Sequence, residues 1–271
     1  MFRQGAFVNV LTSDSTPWKS MLASVSRLPT LDHVELWIES IPKGARLREF
    51  KDVFRGVQLI FHGPFIHTSL VSHIPAVVSA TEERFDATLD FASKMRARVV
   101  TFHAGTYPLF EPREKVLHTL ANRFLRFADI KDPIATLENM PVKSSGTSKE
   151  PIGHLSDCDQ MVGLLPNLRF TLDVGHSLQN GDDFVAFLQK HGSRIEDIHL
   201  HDGIKGGKGH LRLGSGDLDL NCFLDALTAI SFDKYLTMET ISLEDTQSSW
   251  ELLCRTETLK RIRDWGYVPS R

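Results

Sequence analysis

A chain of 271 residues, 41% hydrophobic and 24% charged, is long enough to bury a large core and has the composition of a globular enzyme, not of a disordered or fibrous chain. Its formal charge of -3 supplies no basic footprint for nucleic acid, and Cys158, Cys222 and Cys254 form neither a Cys-x-x-Cys pair nor a disulfide framework. No run approaches the roughly 20 apolar residues of a membrane span, and residues 1–6 lack the apolar core of a signal peptide, so the expectation is a soluble, cytoplasmic protein.

Residues 5–11 read as a first strand and residues 18–28 as a helix behind Pro17, with Ser15 or Thr16 as its cap. Residues 33–39 alternate. Val34, Leu36 and Ile38 share one face and Glu35, Trp37 and Glu39 the other, which suggests a functional lumen or a sheet edge. A short charged helix over 44–54 leads to a third strand, 56–62, and apolar positions at helical spacing predict a long helix over 76–96. A fourth strand (98–103), a helix (111–127) and a fifth strand (133–138) follow. Residues 143–149, Lys-Ser-Ser-Gly-Thr-Ser-Lys, have the composition of an exposed, mobile loop. Beyond it the alternation resumes with a helix over 155–165, a strand over 168–173, a helix over 182–190 and a strand over 195–201. The glycine- and lysine-rich stretch 203–216 is too long for a minimal connection and reads as functional. A helix (221–230), a strand (235–240) and a closing helix (247–265) complete the chain without a domain boundary.

Eight strands alternating with helices predict one (β/α)8 barrel over residues 1–271, whose chemistry belongs at the C-terminal ends of its strands. A doubly wound open sheet also alternates, but would gather its ligand groups at one switch point. Here apolar runs end in a metal-capable side chain at His62, His103, Glu138, Asp173, His199 and Glu239, at intervals of 41, 35, 35, 26 and 40 residues. Any one of these, taken alone, is more often a core histidine or a helix-capping carboxylate. Six in register point to one shared site, and mixed nitrogen and carboxylate ligands suit zinc, manganese, cobalt or iron better than calcium. In Asp173-Val174-Gly175-His176 the glycine reads as a turn that brings an imidazole three residues after the carboxylate.

Thr136-Leu137-Glu138-Asn139, Leu172-Asp173-Val174-Gly175-His176, Ile198-His199-Leu200-His201-Asp202 and His210-Leu211-Arg212-Leu213-Gly214-Ser215-Gly216-Asp217 resemble motifs of the xylose isomerase-like TIM-barrel superfamily. That superfamily includes sugar and sugar-phosphate isomerases and epimerases and the endonuclease IV-like enzymes (AP endonuclease family 2), and the resemblance runs from Val34 to Thr240. For the isomerases and epimerases it implies one divalent ion (zinc, manganese, cobalt or magnesium) held by Glu138, Asp173, His199 and Glu239. For the endonuclease IV-like enzymes it implies two or three ions, with His62 and His103 sharing Glu138 at one further site and His176 and His210 at another. At the last, Lys208 stands where those enzymes place an aspartate, and an ammonium cannot ligate a metal while charged.

His201 shares the facing of His199 on a regular strand, and substrate contact and a plain polar role weigh equally for it. Beside a single ion, His176 would contact substrate instead. Asp202 is a candidate to orient an imidazole. Glu35 enters the lumen either to bind substrate or to make a structural polar pair at the barrel base. Gly206-Gly207-Lys208-Gly209 offers backbone amides and an ammonium to a substrate phosphate, against the plainer reading of a flexible lid, and Lys205 and Arg212 share that ambiguity.

Two functions follow. An isomerase or epimerase of a small-molecule sugar or sugar phosphate would stabilise an enediolate with its ion and use Glu138 and Glu239 as an acid-base pair. An endonuclease IV-like zinc-dependent phosphodiesterase would act on abasic-site DNA. Lys208, the missing basic stripe and the short loops after the early strands rank it second. A non-catalytic barrel retaining every core ligand is the least economical reading. The superfamily allows a homodimer through apolar patches on the outer helices.

Overall fold

In the computed structural model of the protein, residues 2–8, 18–142 and 146–264 are described. Eight parallel strands close into a barrel in chain order: β1 (Arg3–Val8), β2 (His33–Trp37), β3 (Leu59–His62), β4 (Val99–Phe102), β5 (Ile134–Glu138), β6 (Phe170–Asp173), β7 (Ile195–Leu200) and β8 (Tyr235–Met238), the last pairing back onto β1. Around them lie α1 (Trp18–Val25), α2 (Gly44–Val53), α3 (Pro75–Met95), α4 (Arg113–Ala128), α5 (Leu155–Leu164), α6 (Val174–Asn180), α7 (Phe184–His191), α8 (Leu220–Ala229) and α9 (Leu243–Asp264). The expected (β/α)8 barrel is the fold observed.

The helices cover the barrel through apolar stripes. On α4 the buried residues are Val116, Leu117, Leu120, Ala121, Phe124, Phe127 and Ala128, the spacing of a single face. Helix α3 opens on Pro75, where a missing N–H leaves no bond unmade, and stops at Arg96 in the left-handed conformation with φ 59°. Rings fill the space between strands and helices: Phe85 stacks on Phe102 at 4.0 Å and meets Phe127 edge-on at 5.7 Å. No described helix is long and apolar enough to cross a membrane.

Inside the barrel, the layer below the strand ends is polar. Thr101, Thr136 and Thr171 sit on the neighbouring strands β4, β5 and β6, and Thr171 Oγ1 lies 2.8 Å from Thr101 Oγ1 and 2.7 Å from Thr136 Oγ1. On the opposite side Thr237 Oγ1 donates to Asp197 at 3.1 Å and lies 2.9 Å from His33 Nε2. These groups are hydrogen-bonded to one another within the barrel, and the side chains one step further along the strands reach its mouth.

Several local expectations change. The residues after Asp173 are not a turn, because Val174 opens α6 and Asp173 Oδ1 caps it by accepting the His176 N–H at 2.6 Å. Gly175 is required by close approach instead: a Cβ there would lie 1.8 Å from His201 Cε1. Ser148–Lys149 is not free loop but pairs antiparallel with Tyr107–Pro108. Helix α9 begins earlier than expected because Ser242 Oγ accepts the Asp245 N–H at 3.0 Å. The capping role read for Ser15 or Thr16 and the linker residues 143–145 lie outside the described residues.

Candidate metal centre and active-site cavity

His62, Glu138 and Asp173 are the last residues of β3, β5 and β6, His103 and Glu239 each follow a strand by one residue, and His199 is the penultimate residue of β7. Closure of the barrel therefore brings all six to one mouth. Glu138, Asp173, His199 and Glu239 each offer a ligand atom within 4.8 Å of the others, and so do His62, His103 and Glu138. His199 Nδ1 lies 3.3 Å from Glu138 Oε1 and 2.8 Å from Glu239 Oε2. Glu239 Oε2 nonetheless has no hydrogen-bond partner, since the short contact lies off the donor direction.

Although burial opposes its charge, His199 is held well above the usual imidazole range by Glu35, Glu239 and Glu138. Burial likewise opposes ionisation of Glu138, yet His199 and His103 hold its carboxyl well below the usual range. Asp173 is lowered against its burial by His176 and His201, and Glu239 by His199. Three carboxylates thus converge on one imidazolium. A divalent ion fits here on the donor set and on the orphaned Glu239 oxygen, because it would replace the shared proton with a larger charge at the same point.

Hydrogen bonds decide which ring nitrogens face this centre. His199 Nε2–H donates to Glu35 Oε2 at 3.0 Å and leaves Nδ1 to the centre. His62 Nδ1–H donates to Gly63 O at 3.0 Å, which turns Nε2 toward Glu138 Oε2, 3.4 Å away, while His103 Nε2 lies 3.0 Å from the same oxygen. His176 Nδ1–H donates to Asn139 O at 2.9 Å and His210 Nδ1–H to Glu239 O at 3.3 Å, so two Nε2 lone pairs face each other at 3.4 Å. Such a pair attracts a cation.

A cavity of about 650 Å³ opens above the centre, with His62, His103, Glu138, His176, His210 and Glu239 in its lining. The remaining candidates lie elsewhere. His201 is fully buried and is not among the cavity's lining residues; its Nε2–H donates to Asp173 Oδ2 at 3.0 Å, and its Nδ1 lies 3.0 Å from Asp202 O and 2.8 Å from His210 N, so it braces Asp173 from behind. Glu35 is buried one layer down with its Oε2 against His199 and is not among the cavity's lining residues. Lys208 and Arg212 are exposed on the 203–218 loop and are not among the cavity's lining residues. Asp202 meets an imidazole through its carbonyl, 3.0 Å from His201 Nδ1, and not through its carboxylate. Its Oδ1 accepts the N–H groups of Gly203 and Leu218, and its Oδ2 those of Gly214, Ser215 and Gly216, which ties the whole loop to β7.

Asn139 and the pair Trp37 and Phe65 were not singled out by sequence reasoning. Asn139 Oδ1 accepts the Asp173 N–H at 2.8 Å and its Nδ2 donates to Asp173 O at 2.9 Å, bracing the strand end that carries the ligand. Its signal was its place directly after Glu138. Trp37 and Phe65 line the cavity, and the signal for Trp37 was its place on the Glu35 face of β2.

Residues 31–256 match the family described as xylose isomerase-like TIM barrel. An uncharacterised protein of Methanocaldococcus jannaschii is 28% identical over 224 residues, which are 78% of this chain and 74% of that protein. Among solved structures, a D-tagatose 3-epimerase-like protein superposes with a TM-score of 0.78 at 20% identity, covering 97% of this chain and 99% of that one. An L-ribulose 3-epimerase gives a TM-score of 0.78 at 16% identity, covering 100% of both chains. The chain belongs to the xylose isomerase-like TIM-barrel family.

Proposed function

We propose that the protein is a divalent-metal-dependent isomerase or epimerase of sugars. The observation that carries this reading is the pair Glu138 and Glu239, which reach His199 from different strands in the lining of a cavity sized for a small molecule. Glu138, Asp173, His199 and Glu239 are the residues that would hold the ion, and when bound it would polarise a substrate carbonyl and make the neighbouring C–H more acidic. The two glutamates move the proton. One takes it from the carbon beside the carbonyl, and the other returns one to the opposite face in an epimerisation or to the neighbouring carbon in an isomerisation. Both carboxyls are held below their usual range by His199, so either can be the base, and the one that returns a proton must first take one up from water. The structural neighbours named as epimerases support the same class of substrate.

The test is proton exchange. Protein purified without chelator is incubated with a panel of ketoses and ketose phosphates in deuterated water, and label at the carbon beside the carbonyl is read by NMR. Glu138→Gln and Glu239→Gln should each slow exchange on the order of 100-fold or more, and unchanged exchange in either removes its assigned role.

Metal-assisted hydrolysis of abasic-site DNA is a second reading, favoured by the flanking pairs His62–His103 and His176–His210. Against it, exposed apolar side chains (Ile66, Phe110, Val142, Ile204 and Ile241) interrupt the rim on the loops after β3, β4, β5, β7 and β8, and exposed Lys205, Lys208 and Arg212 are gathered on the one loop after β7. One ion per chain by elemental analysis favours the isomerase, and three ions with nicking of abasic DNA would reverse the order.

A further inference from the structure

The cavity has one wall that the proton chemistry does not use. Trp37 and Phe65 stack with ring centroids 4.5 Å apart and planes 12° apart, and Phe65 stacks in turn on His103 at 4.9 Å. His103 Nε2 lies 3.0 Å from Glu138 Oε2, so this row of three rings begins beside the reacting carboxylate and forms part of the cavity wall. The platform is held rigidly. Glu39 Oε2 accepts the Trp37 Nε1–H at 3.0 Å and the Phe65 N–H at 3.2 Å, and Arg84 fixes Glu39 through its carboxylate and through its carbonyl at 2.9 Å, with a further bond to Ile66 O at 2.8 Å. The one polar atom of the indole is thereby satisfied behind the wall, and what Trp37 offers the cavity is apolar ring.

The rest of the lining points the same way. Val25, Met140, Pro141, Ile241 and Leu243 complete the apolar surface, and the ionic side chains among the described lining residues are Glu138, Glu150 and Glu239 with histidines, without a Lys or Arg. Carboxylates repel a phosphate, and a volume of about 650 Å³ lies in the range that encloses drug-sized ligands, more than one sugar ring fills. We infer that the Trp37–Phe65 platform is a subsite for an apolar group on the substrate, so that the substrate is an uncharged sugar bearing an aromatic or alkyl substituent, not a sugar phosphate. The sugar half of this assignment rests on the isomerase reading; the subsite itself does not.

The test is binding without turnover, using the native protein and three probes: phenyl β-D-glucopyranoside, D-fructose and D-fructose 6-phosphate. Ligand-observed saturation-transfer NMR and titration should show the phenyl glucoside binding about 10-fold tighter than D-fructose, the factor that one stacked ring supplies, with the phosphate weakest. Trp37→Leu should bring the phenyl glucoside down to the affinity of D-fructose for the same variant, and Trp37→Phe should retain most of the difference between the two probes, which separates loss of the ring from loss of the fold. Tighter binding of the phosphate, equal binding of the phenyl glucoside and D-fructose, or an advantage that survives Trp37→Leu would each overturn the subsite. If the phenyl glucoside binds as expected but no sugar exchanges its proton, the isomerase reading falls and the subsite stands.

Discussion

Glu35 is fully buried and accepts the Nε2–H of His199, which decides the nitrogen that faces an ion. A leucine there would leave the ring free to choose its tautomer and would strip a compensating charge from beneath it. Glu35→Leu should therefore weaken binding of Mn(II) or Zn(II) by roughly 10-fold to 100-fold, read by competition with a chromogenic chelator, whereas Glu35→Gln keeps an acceptor and most of the affinity. If Glu35→Leu binds metal as tightly as the native protein, the ring is positioned by something else. Alternation along residues 33–39 gave the direction in which Glu35 points. Its depth, one layer below the cavity, depends on how the barrel staggers β2 against its neighbours, and a single strand carries no record of that.

The connection after β7 shows how one carboxylate can organise an element. Asp202 takes five backbone N–H groups from the 203–218 loop, and its glycines serve that packing: a Cβ on Gly216 would lie 2.5 Å from Asp202 Oδ1, one on Gly203 would lie 2.6 Å from Gly175 O, and Gly214 has a φ of 81°. Removing it leaves those donors to compete for water. Asp202→Ala should cost about 2 to 4 kcal/mol in urea denaturation and speed tryptic cleavage after Lys205 and Lys208, and an unchanged midpoint with unchanged cleavage would show that the loop holds itself. Helices and strands were legible here because their apolar periods are long, as on α4. Helix α6 was not, since its 7 residues are too few to show a period and its cap, Asp173, is also the last residue of β6.

Across the molecule, charge at the barrel mouth ties stability to pH and to metal. Glu138, Asp173 and Glu239 have lowered folded pKa values, so their contribution is present above the usual carboxylate range and is lost as pH falls through the lowered values. His199 is raised, so its contribution is present below the ordinary imidazole value and is lost as pH rises through the raised one. A metal ion takes the place of the His199 proton and must compete with it, so the rise in Tm on adding Mn(II) to metal-depleted protein should be larger at pH 8 than at pH 6. Differential scanning fluorimetry reads this directly, and an equal or opposite difference would mean that the ion does not displace that proton. The mouth itself was legible from one metal-capable residue per β/α repeat. The flanking wall was not, because Trp37 ends β2 while Phe65 lies on the loop after β3, and the alternation of residues 33–39 carries no record of the ring that loop brings to Trp37 and Glu39.

Asp173 both caps α6 and faces the centre, which limits its denticity. Oδ1 receives the His176 N–H at 2.6 Å and Oδ2 the His201 Nε2–H at 3.0 Å. An ion can take Oδ2 by displacing one imidazole proton, but gripping both oxygens would uncap the helix that carries His176. A metal site held this way would favour small ions that take a single oxygen from each carboxylate over calcium, whose larger shell draws on two-oxygen grips.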